Sequence, residues 1–135
     1  MAATAVEVVS PAKVLYTGEA EMVVCRSVDG EIAFLADHVP YLGALSACVV
    51  RVLPGGGGEE TRIAISGGFV EVRDNRVVIL ADAATMSHEV DVELARSRRN
   101  EAETRMRDDP TDAAASAAFA EATSLLEAAG IGTGD

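Results

Sequence analysis

The 135-residue chain holds no run of about 18 apolar residues, and its opening "MAATAVEVVSPAKV" lacks the basic start and long apolar stretch of a secretory signal. A cytosolic-side protein with no direct membrane insertion is therefore expected. Positive charge is scarce, with 11 basic residues against 22 acidic ones and a net charge of -11. That surplus would repel a nucleic-acid backbone or an anionic lipid surface, so neither is an expected partner. Cysteine is limited to Cys25 and Cys48, each in an apolar stretch and without CxxC spacing. Buried free thiols fit this better than a disulfide or a metal site. The only histidines are His38 and His88, with no HExxH, so no zinc site is expected. No GxSxG elbow exists either; Ser66 in "ISGGF" leads from one strand into another, whereas a nucleophile elbow leads into a helix.

What is present falls into two parts with different periods. Up to about Ala84, apolar residues alternate with others: Val6 and Val8 around Glu7, Ala20, Met22 and Val24 around Glu21 and Val23, Ile63 and Ile65 around Arg62 and Ala64, Val70 and Val72 around Glu71. These are strands with one buried face. Turn signals separate them at Asp29-Gly30, Pro54 to Gly58, Gly67-Gly68 and Asp74-Asn75, and many short strands of this kind indicate a β-sandwich or barrel.

Beyond Asp91 the period becomes helical. Asp91 can cap, Glu93 suits the positive end of the macrodipole, and Glu101/Arg105 and Glu103/Arg107 stand at i,i+4, giving a helix from about Val92 to Arg107. "DDP" at Asp108 to Pro110 breaks it. A second helix from about Thr111 to Ala129 puts Ala118, Phe119, Ala122, Leu125, Leu126 and Ala129 on one face, and Gly130 ends it. The first helix has only a thin apolar line, Ala95, Ala102 and Met106, so an antiparallel hairpin with Phe119 lying on alanines, burying little area, is expected. The fold class is thus α+β, an antiparallel β-sandwich over residues 1–87 followed by a helical hairpin over residues 88–135.

Four stretches could carry chemistry or binding. "GEIAFLADHVP" (Gly30 to Pro40) runs an apolar strand, Ile32 to Leu35, into Asp37 and His38, but no nucleophile or second carboxylate is offered to them. A structural turn or a partner contact is the better account. "PGGGGEE" has two carboxylates and no Lys-Ser/Thr, which suits a hairpin tip and not a phosphate loop; the glycines of "SGGFVEV" suit close backbone approach. Arg96, Arg98, Arg99, Arg105 and Arg107 make the first helix a solvated charged face or a partner-binding one. These features leave open a free-standing acidic β-sandwich that docks a protein partner.

"GEIAFLADHVPYLGAL" resembles the motif GEIGILPGHAPLLTAL of the epsilon subunit of F-type ATP synthases, and "IAISGGFVEVRDNRVVILADAA" is similar to that family's AVSGGFVEV..N.VTVLAD.A. The resemblance extends through the opening strands and the two-helix tail. It implies a sandwich of about ten strands and a hairpin tail in a non-catalytic rotor subunit that joins gamma to the ring of c subunits, peripheral to the cytoplasmic face of the membrane. It also implies partner-binding roles for Glu31, facing the c ring, and for His38 and Pro40 in the segment near gamma. A regulatory tail is implied too, with Arg96, Arg98, Arg99, Arg105, Arg107 and Phe119 meeting the alpha and beta catalytic subunits. The chain departs from the motif at Ala33, Ala36 and Cys48. Some relatives bind ATP through I/L-D-x-x-R-A; the matching stretch here contains Asp91, Leu94 and Ala95, and Leu94 stands where the arginine should be. A leucine makes no charge-assisted contact with phosphate, so no cofactor is expected.

Overall fold

The computed structural model describes residues 2–131. Ten strands come first: β1 (Thr4–Val9), β2 (Val14–Ala20), β3 (Met22–Ser27), β4 (Gly30–Leu35), β5 (Tyr41–Leu45), β6 (Cys48–Leu53), β7 (Thr61–Ile65), β8 (Gly68–Arg73), β9 (Arg76–Ala81) and β10 (Ala84–Met86). A 3-10 turn (Ser87–Glu89) leads to helices α1 (Val92–Asp108) and α2 (Ala113–Ala128).

The strands form two layers joined at a corner. One layer runs β10-β7-β6-β3 with β4 on the far edge of β3, the other β5-β8-β9-β1-β2, and the single pair Ser27↔Leu45 connects them. All pairings are antiparallel except β1 with β9, which is parallel. Between the layers lies an apolar core in which Val6, Val8, Val23, Phe34, Val50, Val52, Ile63, Val70, Val77 and Ile79 are fully buried. Valine and isoleucine dominate because β-branched chains pack well on a pleated half-buried surface.

Alternation locates most inward residues, with one slip. In β3 the residues of the central cluster are Val23 and Cys25, in the phase opposite to Ala20-Met22-Val24; Val24 is buried as well but outside that cluster, and Met22 is half-buried. The reason is that Ala20 ends β2 and Glu21 is a corner, its N–H held by the Leu53 carbonyl at 2.9 Å, so the run is two strands with different phases. The stretch Ile32 to Leu35 is likewise buried on one face only: Phe34 is enclosed while Ala33 and Leu35 are exposed, because β4 is an edge strand.

The glycine pair in "SGGF" serves close approach. Gly68 has φ +150, and a Cβ there would lie 2.1 Å from the Leu80 carbonyl oxygen, so only glycine lets β8 start against β9.

Asp91 caps α1 by accepting the Leu94 N–H at 3.1 Å. Asp112 caps α2 by accepting from Ala115 at 2.9 Å, which starts that helix two residues later than the sequence suggests. At its other end Gly130, at φ +83, donates to the Glu127 carbonyl. α2 lies between α1 and the strands β6 and β7. Its buried residues are consequently Ala115, Ala122, Ser124, Leu126 and Ala128, a wider set than one face, with Ala118, Phe119, Leu125 and Ala129 half-buried. Ala64, the outward residue of β7, is buried as well, on the side that α2 covers.

Candidate functional site

The segment after β4 is a tight loop. Asp37 sits at φ 59, where the quoted motif has a glycine, and the His38 N–H closes the turn onto the Leu35 carbonyl at 3.2 Å. Asp37 and His38 do not pair. His38 Nδ1 is 2.7 Å from the Val39 carbonyl, and since a carbonyl only accepts, Nδ1 carries the hydrogen. The ring stands edge-on to Phe34 at 5.0 Å, and Phe34 in turn packs on Tyr41 at 5.5 Å. The imidazole is thus held by the core below it and by its own backbone, and Val39 and Pro40 beside it are exposed. This arrangement fits a shaped contact loop and offers no general base a substrate.

Glu31 lies at the other end of β4. At about 3.3 Å per residue, the strand puts it roughly 13 Å from Leu35, where the His38 loop begins. It pairs across the ladder with Arg26, and both are exposed. The adjoining turn lifts Val28 into solvent at 81 % exposure. The three residues expected to bind partners therefore form two sites: His38 and Pro40 at one end of the sandwich, Glu31 at the other.

A third surface was not anticipated from sequence. On the outer face of the β5-β8-β9 layer, Leu42 is 72 % exposed, Phe69 55 % and Leu80 52 %. Phe69 stands opposite Ala44 on one side and Leu80 on the other, and Leu80 is opposite Val9, so the apolar residues form a row across four strands. Among the described residues no helix covers this face; α2 packs on the other layer. The signal was in the strands themselves, since "FVEVR" and "VVILA" bury Val70, Val72, Val77 and Ile79 and still carry a large apolar residue in the opposite phase. A contiguous exposed apolar row makes this face a candidate contact surface.

In the tail, the five arginines divide. Arg105 reaches Asp112 at 3.0 Å, and Arg107 pairs with Glu103. Arg99 lies 5.2 Å over the ring of Phe119, so that ring packs on a guanidinium and not on alanines alone. Arg96 and Arg98 are exposed, and Arg98 lines an open cleft between the helices together with Arg105, Glu101 and Glu121. Arg105 thus joins the two helices where i,i+4 spacing suggested Glu101. Asp91, Leu94 and Ala95 serve the helix start: Asp91 as cap, Ala95 as a buried contact, Leu94 half-exposed.

The two thiols are buried in the core wall. Burial pushes Cys25 up to about 12, with the neighbouring Cys48 adding to the effect, and burial raises Cys48 as well. Neither is a nucleophile at neutral pH. Among the described residues no group of three or more His, Cys, Asp or Glu side chains could hold a metal ion, and no helix is long and apolar enough to cross a membrane.

Residues 3–87 match the family model described as "ATP synthase, Delta/Epsilon chain, beta-sandwich domain". The ATP synthase epsilon chain of Moorella thermoacetica is 40% identical over 133 residues, which covers 96% of this chain and 98% of that one. The epsilon chain of Brevibacillus brevis is 42% identical over 106 residues, covering 78% and 80%. In the cryo-EM structure of the Euglena gracilis mitochondrial ATP synthase, OSCP/F1/c-ring in rotational state 1, one chain superposes with a TM-score of 0.74 at 23% identity, covering 96% of this chain and 81% of that one. At that identity the likeness speaks to fold.

Proposed function

The chain belongs to the ATP synthase delta/epsilon family, and from that premise we propose that it is the epsilon-type subunit of an F-type ATP synthase, a non-catalytic part of the rotor. The observation that carries the reading is agreement in sequence along nearly the whole chain, helical hairpin included. The free-standing binding module has no comparable support.

Within that role the open face of β5, β8 and β9 is the surface for gamma. Its row of Phe69 and Leu80, with Leu42 on the same face beside it, is apolar and adjacent to the His38 loop, as a permanent stalk contact requires. The end bearing Val28 and Glu31 points to the c subunits, where an exposed carboxylate and an apolar tip suit polar loops. Residues 1–87 then form the rotor-binding domain and residues 88–135 the regulatory tail, whose α1 arginines meet the catalytic subunits when the hairpin opens. The protein sits peripherally on the synthase, at the cytoplasmic face of the membrane.

The test is binding to purified gamma, followed by titration calorimetry. Stoichiometric capture is expected, and Phe69→Glu should weaken it by about 2 kcal/mol or more, because a carboxylate would be desolvated at the contact, while thermal unfolding stays cooperative. No capture of the wild-type chain at micromolar concentration would overturn the reading.

A further inference from the structure

The turn between β8 and β9 does more than reverse the chain. Asp74 and Asn75 occupy its two central positions at φ 51 and φ 56, the mirror-image turn favoured by twisted hairpins. The Asn75 side chain then reaches away from its own hairpin. Its Oδ1 accepts the Asp37 N–H at 2.8 Å, and its Nδ2 donates to the Ala3 carbonyl at 2.9 Å. Its backbone carbonyl accepts the Ala5 N–H at 3.1 Å and the Thr4 hydroxyl at 2.9 Å. Only one orientation of the amide satisfies both side-chain partners, since one is a donor and the other an acceptor.

The partner at 2.8 Å is a residue in an unfavourable conformation. Asp37, at φ 59, lies in the left-handed region, and such residues persist where surrounding bonds determine them. The Asp37 N–H is the point at which the β8–β9 turn grips the loop that carries His38, Val39 and Pro40. That loop feeds directly into β5, whose exposed Leu42 stands on the outer face two residues before Ala44 of the apolar row, and β5 is paired with β8 through Tyr41↔Val72.

We propose that Asn75 is the positioning residue of the His38 loop: its amide fixes Asp37 and thereby sets where His38, Val39 and Pro40 stand relative to the apolar face. The inference rests on the reading of this loop as part of the gamma contact. Aspartate cannot substitute, because its second oxygen would face the Ala3 carbonyl. Glycine keeps the turn, because it accepts positive φ freely, and removes both side-chain bonds.

The experiment uses the full chain with Asn75→Gly and Asn75→Asp, each also in a His38→Ala/Val39→Ala background. Amide hydrogen exchange reports the loop, and calorimetry with purified gamma reports the contact. Expected in Asn75→Gly are cooperative unfolding, faster exchange at Asp37 and His38 with β8 and β9 still protected, and about tenfold weaker binding. In the background lacking the loop side chains, the same substitution should change binding less than about twofold, which a general loss of stability would not produce. Unchanged exchange at Asp37 and His38 overturns the proposal, as does an undiminished binding loss in that background. If the wild-type chain fails to bind gamma, the functional reading falls, and the exchange result alone then decides whether Asn75 holds the loop.

Discussion

The Asp37-His38 pair, conspicuous in sequence as a carboxylate beside an imidazole, is resolved by two hydrogen bonds that neither residue makes to the other. Its structural character was legible, because nothing in sequence converges on it. The grip of Asn75 on it was not, since that bond spans 38 positions. The outward Leu42, Phe69 and Leu80 escaped for a different reason: alternation assigns one apolar phase to the core and says nothing of an apolar residue in the other. A prediction at this scale concerns Cys25. Its thiol ordinarily titrates near 9.0 and is pushed to about 12 by burial. Below pH 9 the folded and unfolded chains both keep the proton; between 9 and about 12 the unfolded chain releases it and the folded chain does not. Stability from this group is therefore full below pH 9 and is lost as pH rises through the window. Cys25→Ala should show a shallower fall in Tm over that range than the wild type, measured by calorimetric scans.

Among the elements, both helices were readable in type and nearly in extent, because capping aspartates and a proline break are local signals. What could not be read was that α2 has two neighbours, so that Ser124 and Ala128 are buried beside the expected Ala122 and Leu126. The buried Ser124 hydroxyl is satisfied by the Ala120 carbonyl at 3.1 Å, which lets a polar residue serve on an apolar side. The hairpin is clasped by Asp112, which holds the first turn of α2 and binds Arg105 of α1. The backbone bond from Ala115, then the contact with Arg105, keep its carboxyl below the usual aspartate range. A depressed folded value means that this contribution is present above the unfolded pKa and lost as pH falls through the folded one. Asp112→Asn keeps the cap and removes the charge. It should lower amide protection factors at the helix junction near pH 6, and these factors, corrected for the intrinsic exchange rate, should fall less on acidification from pH 5 to 3 than those of the wild type, which loosens over the acid end.

At the level of the whole molecule, the apolar core is drawn from strands alone, all between Val6 and Ala81. Residues 1–88 should accordingly unfold cooperatively by themselves, at a lower Tm than the full chain because the face over Ala64 loses its cover; a broad, uncooperative melt would show that the helices complete the core. The second expectation concerns regulation. From Thr111 to the end the chain has no lysine or arginine, so deleting that part from a reconstituted synthase removes no positive charge that could meet the catalytic subunits. ATP hydrolysis should change less than about twofold, and a larger rise should require removal of α1 as well, as read in a coupled ATPase assay.

The parallel pairing of β1 with β9 also bears on how the molecule comes to exist. Val6 meets Val77, and Val9 meets Leu80, across about seventy intervening residues, so β1 can close one hairpin with β2 but must wait for β9 to be made before its other edge is satisfied. During synthesis from the N-terminus, at about 5–20 residues per second, that edge stays open for several seconds while apolar Val6 and Val8 have no core to enter. Joining ends so far apart carries a loop-closure penalty before any packing rewards it, so this step is expected late in folding. The nascent first hairpin is thus the segment most exposed to wrong pairing. The capture of Ala3, Thr4 and Ala5 by Asn75, at the tip of the β8–β9 hairpin, is where two late-made strands of the sandwich seize the first.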